Sequence, residues 1–295
     1  MASGSSAHTY SYPNGARSID KIMEIVDKDM VSIVMLSHDK GKYVEESVRS
    51  VMAQTYSNWE LLFLDDNSQD DTISVVSALM NEDRAMVSAK ADSESTSKRI
   101  RVAKTLYQLG ESSNMSSTLE KAQGRWIAFL NVGDVWALDK LEKQIAFMEE
   151  HGYAFSYTSY GLMDMESQDR GVVVSGKAHV THGDMLKCCW PAYMTVMYDR
   201  EKVGEMKVRA PLNNDYALWL NVSDRHDCYL LDENLATMRT KWGRLGRILL
   251  TNNIKWRYDA YRIDEDLGRI TSLLYTIRNG WYGIVKWMKY VKRTK

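Results

Sequence analysis

The 295-residue chain contains no apolar run approaching the ~18 residues that a membrane-spanning helix requires. Its opening, MASGSSAHTYSYPNGARS, is small and polar with no apolar stretch, so no signal peptide is expected and residues 1–28 are expected to be disordered. Cysteine is scarce: Cys188, Cys189 and Cys228 make three, two of them adjacent, with no C-x-x-C spacing. Adjacent cysteines rarely bridge and no zinc-site spacing occurs, which predicts reduced thiols in a cytoplasmic protein. Net charge is only -1, so no global field draws the chain to nucleic acid. No G-x-G-x-x-G follows the first predicted strand, which argues against a dinucleotide oxidoreductase. Acidic residues vanish after Asp266, while Arg269, Arg278, Lys286, Lys289, Lys292, Arg293 and Lys295 are all basic.

What is present is the balance of a globular core, 44% hydrophobic and 26% charged. Val31–Leu36 is a short β-branched run that reads as a buried parallel strand. Val44, Val48, Val51 and Met52 recur at helical spacing and predict an amphipathic helix over Tyr43–Gln54. Trp59–Leu64 is a second strand. Asp70 and Asp71 open the next helix, where acids complement the dipole, and Ile73, Val76 and Leu79 form its buried stripe. Arg99–Ala103 and Trp126–Leu130 are further strands, with a helix marked by Met115, Leu119 and Ala122 between them. This β-α alternation predicts an α/β fold, a Rossmann-like, mostly parallel sheet with helices on both faces. Ligands of such sheets bind at the carboxyl ends of the strands. The polar clusters there are Ser37–Asp39, Asp65–Ser68 and Asn131–Asp134, and they are expected to share one crevice. Leu141, Ile145 and Met148 then predict a helix closed by Gly152, followed by strands at Tyr153–Tyr160, Val172–Val174, Tyr193–Tyr198 and Cys228–Leu231. Asn214–Asn221 reads as a helix, and the segment from about Trp242 as mostly helical.

The stretch VSIVMLSHDKGKYVEESVRSVMAQTYSNWELLFLDDNSQDDT resembles the opening of the family 2 inverting glycosyltransferases of the bacterial capsule and lipopolysaccharide type, which have the GT-A fold. Ala53-Gln54-Thr55-Tyr56 and Leu64-Asp65-Asp66-Asn67-Ser68 carry the match most closely. KAQGRWIAFLNVGDVWALDKLEKQIAFME resembles the segment bearing the family's metal motif, and NNDYALWL the segment bearing its catalytic base. The resemblance spans about residues 31–240. It implies a GT-A domain over residues 29–240 with a C-terminal helical extension over 241–295. It also implies transfer of a sugar from a nucleotide-sugar, a UDP-sugar favoured, to a saccharide or lipid-linked acceptor of a growing surface polysaccharide. The base would be Asp215, the donor would lie against Ser37, His38, Asp39, Asp65, Asp66, Asn131 and Asp134, and a divalent cation, Mn or Mg, would neutralise the leaving diphosphate.

Where the family reads F-L-D-x-D-D-x-W, this chain has Phe129-Leu130-Asn131-Val132-Gly133-Asp134-Val135-Trp136. Two acids are replaced, leaving Asp134 as the one candidate metal ligand, a weak set for a hard cation. Met115-Ser116 stands where the family often has Arg-Asn, removing a cation near the donor. Each candidate has a plainer reading. Asp65 and Asp66 would also suit a turn before a helix, His38 a solvated loop, and Asp215 an ordinary first-turn helix acid. Trp190 and Trp219 fit either an acceptor groove or the core. Arg239, Lys241, Arg244 and Arg247 fit either a diphosphate clamp or a solvated basic loop.

Ile277, Trp281, Ile284, Met288 and Val291 form one apolar stripe surrounded by lysine and arginine. That pattern suits a helix lying on an anionic membrane, the inner face in this setting, or equally one packed on its own domain or in a homodimer. The chain lacks the Q-x-x-R-W run of the processive synthases. A non-catalytic relative that binds nucleotide-sugar or partner proteins is the competing functional reading, prompted by Asn131 and Gly133.

Overall fold

The computed structural model describes residues 27–90, 99–106, 115, 118–204, 215–241 and 254–293. The first half alternates as expected: β1 (Asp27–Ser37), α1 (Gly41–Met52), β2 (Trp59–Asp65), α2 (Thr72–Lys90), β3 (Ile100–Lys104) and β4 (Gly124–Phe129). Then come β5 (Val135–Trp136), α3 (Lys140–His151), β6 (Phe155–Met163), β7 (Asp169–Val174) and β8 (His179–Val180). After α4 (His182–Met185), β9 (Met197–Asp199) and α5 (Arg200–Val203), the described chain resumes at α6 (Asp215–Ser223). It closes with β10 (Cys228–Arg239), α7 (Ile254–Asp259), α8 (Arg269–Tyr290) and β11 (Val291–Arg293).

Side-chain alternation along the strands decides the layering. Val31, Ile33 and Met35 of β1 share one core with Val44, Val48 and Val51 of α1, Val76 and Leu79 of α2, and Leu141, Ile145 and Met148 of α3. Val34 faces the other way, into a second core with Ile127 and Phe129 of β4 and Trp219 of α6. Helices therefore cover both faces. Phe129 meets Trp219 edge-on at 5.2 Å between ring centroids, so Trp219 belongs to the core and not to an acceptor groove.

Strands run in the order β3-β2-β1-β4, all parallel, and then β9, β6, β7 and β11, each antiparallel to its neighbour. The long β10 pairs in parallel with β6. The parallel quartet is the Rossmann-like half expected from the sequence; beyond β4 the sheet is mixed.

Two expectations need correcting. Residues 27 and 28, expected within the disordered leader, open β1, because the Asp27 amide donates to the Gln123 carbonyl (3.0 Å) and the chain is already on the sheet. Tyr193–Tyr198 is not one strand. Tyr193–Thr195 forms a 3-10 turn, since Thr195 turns its amide and hydroxyl back onto the Ala192 carbonyl (2.9 and 2.6 Å). Side chains take the carbonyls that a ladder would have used: Trp136 Nε1 donates to Met194 O (2.8 Å) and Gln144 Nε2 to Thr195 O (3.0 Å). Residues 1–26 and, within the helix expected around Met115–Ala122, residues 116 and 117 lie outside the described residues.

Gly152 closes α3 as expected, with φ 68° in the left-handed region that costs glycine little. Gly41 sits in a close approach. A Cβ there would lie 1.7 Å from Asp71 Oδ1, because the starts of α1 and α2 are pressed together. Asp70 joins them: one carboxylate oxygen accepts the Gly41 amide (2.9 Å) and the other the Thr72 amide (3.0 Å). The acid expected only to favour one helix dipole thus caps two helices at once.

Lys140, at the start of α3, is fully buried, with Nζ donating to Gln144 Oε1 (2.6 Å) and lying 4.4 Å from the Trp136 ring centroid. Burial pushes its amine down to about 7. Its folded-state value lies below the unfolded value of about 10.4, so the stability this group contributes is present above that pH and lost as pH falls towards 7. Urea denaturation is expected to show the native chain gaining about 3 kcal/mol relative to Lys140→Met between about pH 7 and pH 10. Parallel pH profiles for the two proteins would contradict this.

Candidate active site

In-register pairing brings the ends of β1 and β2 level, with Ser37 opposite Asp65. The Leu130 amide donates to the Val34 carbonyl (3.1 Å), which delivers Asn131–Asp134 to the same edge of the sheet. Ser37 is buried and its hydroxyl has no protein partner, an exception among buried polar groups. The Asp66 amide donates to the Ser37 carbonyl (2.8 Å), and His38 Nδ1 lies 2.8 Å from the Asp66 carbonyl oxygen. His38 is thereby tied across the gap between the two tips, with its other ring nitrogen 3.4 Å from Asp39 Oδ2.

Both tips carry a non-glycine residue in the left-handed region, Asp39 (φ 49°) and Asn67 (φ 62°). Such conformations cost free energy and collect at ligand sites. Ser68 holds the two turns together by donating its hydroxyl to Asp65, and the Asp39 amide donates to the same oxygen (2.9 Å). Asp39 Oδ1 accepts the Gln69 amide (2.8 Å).

The two consecutive acids behave differently. Asp65 is fully buried, and its oxygens accept the amide (2.9 Å) and hydroxyl of Ser68, so it locks the turn. Asp66 accepts from the Thr105 hydroxyl (3.2 Å) just beyond β3. Lys104 at the end of β3 donates to the Ser68 carbonyl (2.8 Å). These β3 residues were missed from the sequence because they sit in no acidic or polar cluster. The adjacency of β3 to β2 was the available signal.

The altered metal motif is sealed from below. Along one side of α1, Ser47 donates to the Asp134 carbonyl (2.7 Å) and accepts the Gly133 amide (2.8 Å). Ser50 accepts the Trp136 amide (3.2 Å), and Gln54 donates to Ala137 O (2.7 Å) and accepts the Leu141 amide (3.1 Å). Gln54, part of the run that resembled the family, is therefore a structural clamp on the loop after β4.

Asp134 is buried, and its Oδ1 accepts the Arg239 amide (2.9 Å) while Asn131 Nδ2 approaches Oδ2 at 3.5 Å. Burial is the main cause that pushes its carboxyl up to about 7, against the lowering effects of Arg239 and Asn131. Arg239 itself is spent. Its guanidinium donates to Gly133 O (2.9 Å), Asp164 O (3.1 Å), Met165 O (3.2 Å) and the Glu46 carboxylate, and it lies over the Tyr43 ring. A side chain with four of its five N–H donors engaged is poorly placed to be a diphosphate clamp; Arg244 and Arg247 lie outside the described residues.

Among the described residues, no group of three His, Cys, Asp or Glu could hold a metal ion. One buried carboxylate with both oxygens engaged does not fit a Mn or Mg site, for which several oxygen ligands are normal. Gly133 adds a backbone obstacle, since its φ of 107° is one that side-chain-bearing residues rarely adopt.

Asp215 is the first residue of α6; Asn214 before it lies outside the described residues. The Cys189 thiol is pushed up by burial first and then by the Asp215 carboxylate. Tyr216, next to Asp215, is fixed by donating to Met185 O (2.7 Å) and by contacts with Tyr261 Oη (2.8 Å) and Asn279 Nδ2 (3.0 Å). Half-buried Trp190 donates its ring N–H to Asp184 O (3.2 Å).

The description Glycosyl transferase family 2 matches residues 32–175. The chain is 33% identical over 260 residues to an Escherichia coli protein, UDP-Glc:alpha-D-GlcNAc-diphosphoundecaprenol beta-1,3-glucosyltransferase WfgD, covering 84% of this chain and 92% of that one. It belongs to glycosyl transferase family 2. The putative teichuronic acid biosynthesis glycosyltransferase TuaG of Bacillus subtilis is 32% identical over 214 residues, covering 72% of this chain and 79% of its own. Among solved structures, S. aureus TarS 1-349 in complex with UDP-GlcNAc aligns with a TM-score of 0.60 at 14% identity, covering 84% of this chain and 71% of that one. The mannosyltransferase PcManGT from Pyrobaculum calidifontis, in complex with GDP-Man and Mn2+, aligns with a TM-score of 0.57 at 10% identity, covering 87% and 72%. These likenesses establish the GT-A fold, and the chain is a family 2 glycosyltransferase.

Restoring the missing acid is expected to fail. Gly133→Asp should lower stability by about 1–2 kcal/mol, the strain of a side chain at that φ, without creating tight Mn binding. Urea denaturation and a Mn titration check this; a stable variant that binds Mn tightly would contradict it.

Proposed function

We propose that this transferase moves a sugar, with inversion, from a nucleotide-sugar to a hydroxyl of a growing cell-envelope polysaccharide on a lipid-linked acceptor. A UDP-sugar is the favoured donor. The observation that carries the reading is the junction of the β1 and β2 tips, where the orphaned Ser37 hydroxyl, His38, the strained Asp39 and Asp66 lie together. That chemistry suits a base and a ribose, with hydroxyl and carboxylate groups for N–H and O–H donors. UDP-GlcNAc and GDP-Man in the complexes of TarS and PcManGT, and diphosphoundecaprenol in the name of WfgD, support the donor and acceptor classes. An acceptor on such a lipid would put the enzyme's work at the inner face of the membrane.

Asp215 serves as base. It takes the proton of the acceptor hydroxyl as that oxygen bonds to the anomeric carbon, and the bond from that carbon to the diphosphate oxygen breaks on the opposite face. The nucleoside diphosphate leaves with the electron pair. Asn131 at the end of β4 would hydrogen-bond the donor, whereas Asp134 and Asp65 act by shaping the loops that hold it. A cation carried in on the diphosphate would find little help from protein carboxylates, so metal dependence is expected to be weak.

The sealed Asp134–Arg239 arrangement gives some support to a relative that binds donor without turning it over. Asp215→Asn separates the two readings. Sugar transfer or donor hydrolysis should fall by about 10²–10³-fold while UDP affinity, measured by calorimetry, stays within a factor of about two. Undiminished turnover in the variant would remove Asp215 from the mechanism, and absence of turnover in the native chain would favour the binding-only reading.

A further inference from the structure

Helix α8 is mounted the wrong way round for a helix of a water-soluble surface. Its buried positions are polar, Ser272, Thr276 and Asn279, while its apolar stripe faces outward. Ile270 is 78% exposed, Leu274 60%, Ile277 63%, Trp281 64% and Met288 65%. These positions recur at helical spacing on one face, a contiguous apolar surface of a kind that folded proteins rarely leave in water. The orientation is fixed by specific bonds. Asn279 Nδ2 donates to the hydroxyls of Tyr216 and Tyr261 (both 3.0 Å), and Lys286 Nζ to the carbonyls of Cys189 (3.1 Å) and Trp190 (2.5 Å). At its far end, β11 pairs with β7.

Charge selects the occupant. Lys289 flanks the stripe on one side and Arg269 on the other, with Lys292 and Arg293 following at its end. No acid occurs from residue 267 to the end of the chain. Trp281, Tyr282 and Trp287 supply the aromatic rings that settle at a bilayer's headgroup level. A second copy would bring this cationic rim against itself, whereas anionic headgroups would neutralise it. Among the described residues no helix is long and apolar enough to cross a membrane, so the helix would lie on one.

We propose that α8 docks the enzyme flat on an anionic phospholipid surface, its apolar stripe in the interface and its basic flanks on the headgroups. Because Asn279 bonds to Tyr216 and Lys286 to the Cys189–Trp190 segment, the docked helix holds the start of α6 at a set height above the bilayer. In purpose, though not in the binding itself, this rests on the lipid-linked acceptor proposed above.

The test is co-sedimentation of the full chain with vesicles of phosphatidylcholine alone and of phosphatidylcholine with phosphatidylglycerol. Binding is expected only to the anionic vesicles, weakened by salt. It should fall by about tenfold or more in Ile277→Glu with Trp281→Glu, and in Arg269→Glu with Lys289→Glu. Both pairs are exposed, so unfolding midpoints should stay near the native value. Donor hydrolysis in vesicle-free buffer should be unchanged in both, which separates a failure of docking from a failure of the transferase reading. No binding by the native chain, binding that ignores lipid charge, or binding retained in the variants would overturn the proposal. So would a native dimer that Ile277→Glu with Trp281→Glu splits without any vesicle binding.

Discussion

The shared register of β1, β2 and β4 is the constraint on which the rest of the site depends. Ser37 opposite Asp65, and Leu130 bonded back to Val34, bring three chain reversals to one edge of the sheet. Apolar alternation on two faces holds that register, because a one-residue slip would turn Val31, Ile33 and Met35 out of one core and Val34 out of the other. The packing that folds the domain therefore also positions the polar tips. The left-handed Asp39 and Asn67 persist because Ser68 and Asp65 tie their turns together.

A second layer of control comes from α1. Its apolar side packs on the sheet, while Ser47 and Ser50, with Gln54 just beyond its end, grip the loop after β4. Arg239 braces the same loop from the end of β10. With two acids of the family's motif replaced, the loop has become a hydrogen-bonded unit that no longer resembles a cation cradle.

Much of this was legible in the sequence. β1, β2 and β4 were visible as short apolar runs bounded by polar turns, and α3 because its stripe ends on Gly152. The sequence favoured Asp66 over Asp65 for nucleotide contact, but what occupies Asp65 was not legible, since only the folded turn shows which acid Ser68 engages. Arg239 looked like a loop cation because its partner Asp134 lies 105 residues away. For α8 the periodicity revealed the stripe but not the side it faces. That depends on Asn279 and Lys286 finding polar partners on α6 and at Cys189–Trp190. The half-helical Tyr193–Tyr198 segment was misread because side chains of Trp136 and Gln144 supply what a strand partner would have supplied.

The most direct measurement is a crystal structure of the chain with bound UDP. The account predicts uracil and ribose against Ser37, His38, Asp39 and Asp66, with the diphosphate running towards Asn131 and the Asp215 carboxylate opening on to the space beyond it. A nucleotide bound away from the β1–β2 junction, or an Asp215 side chain turned from the bound diphosphate, would contradict it.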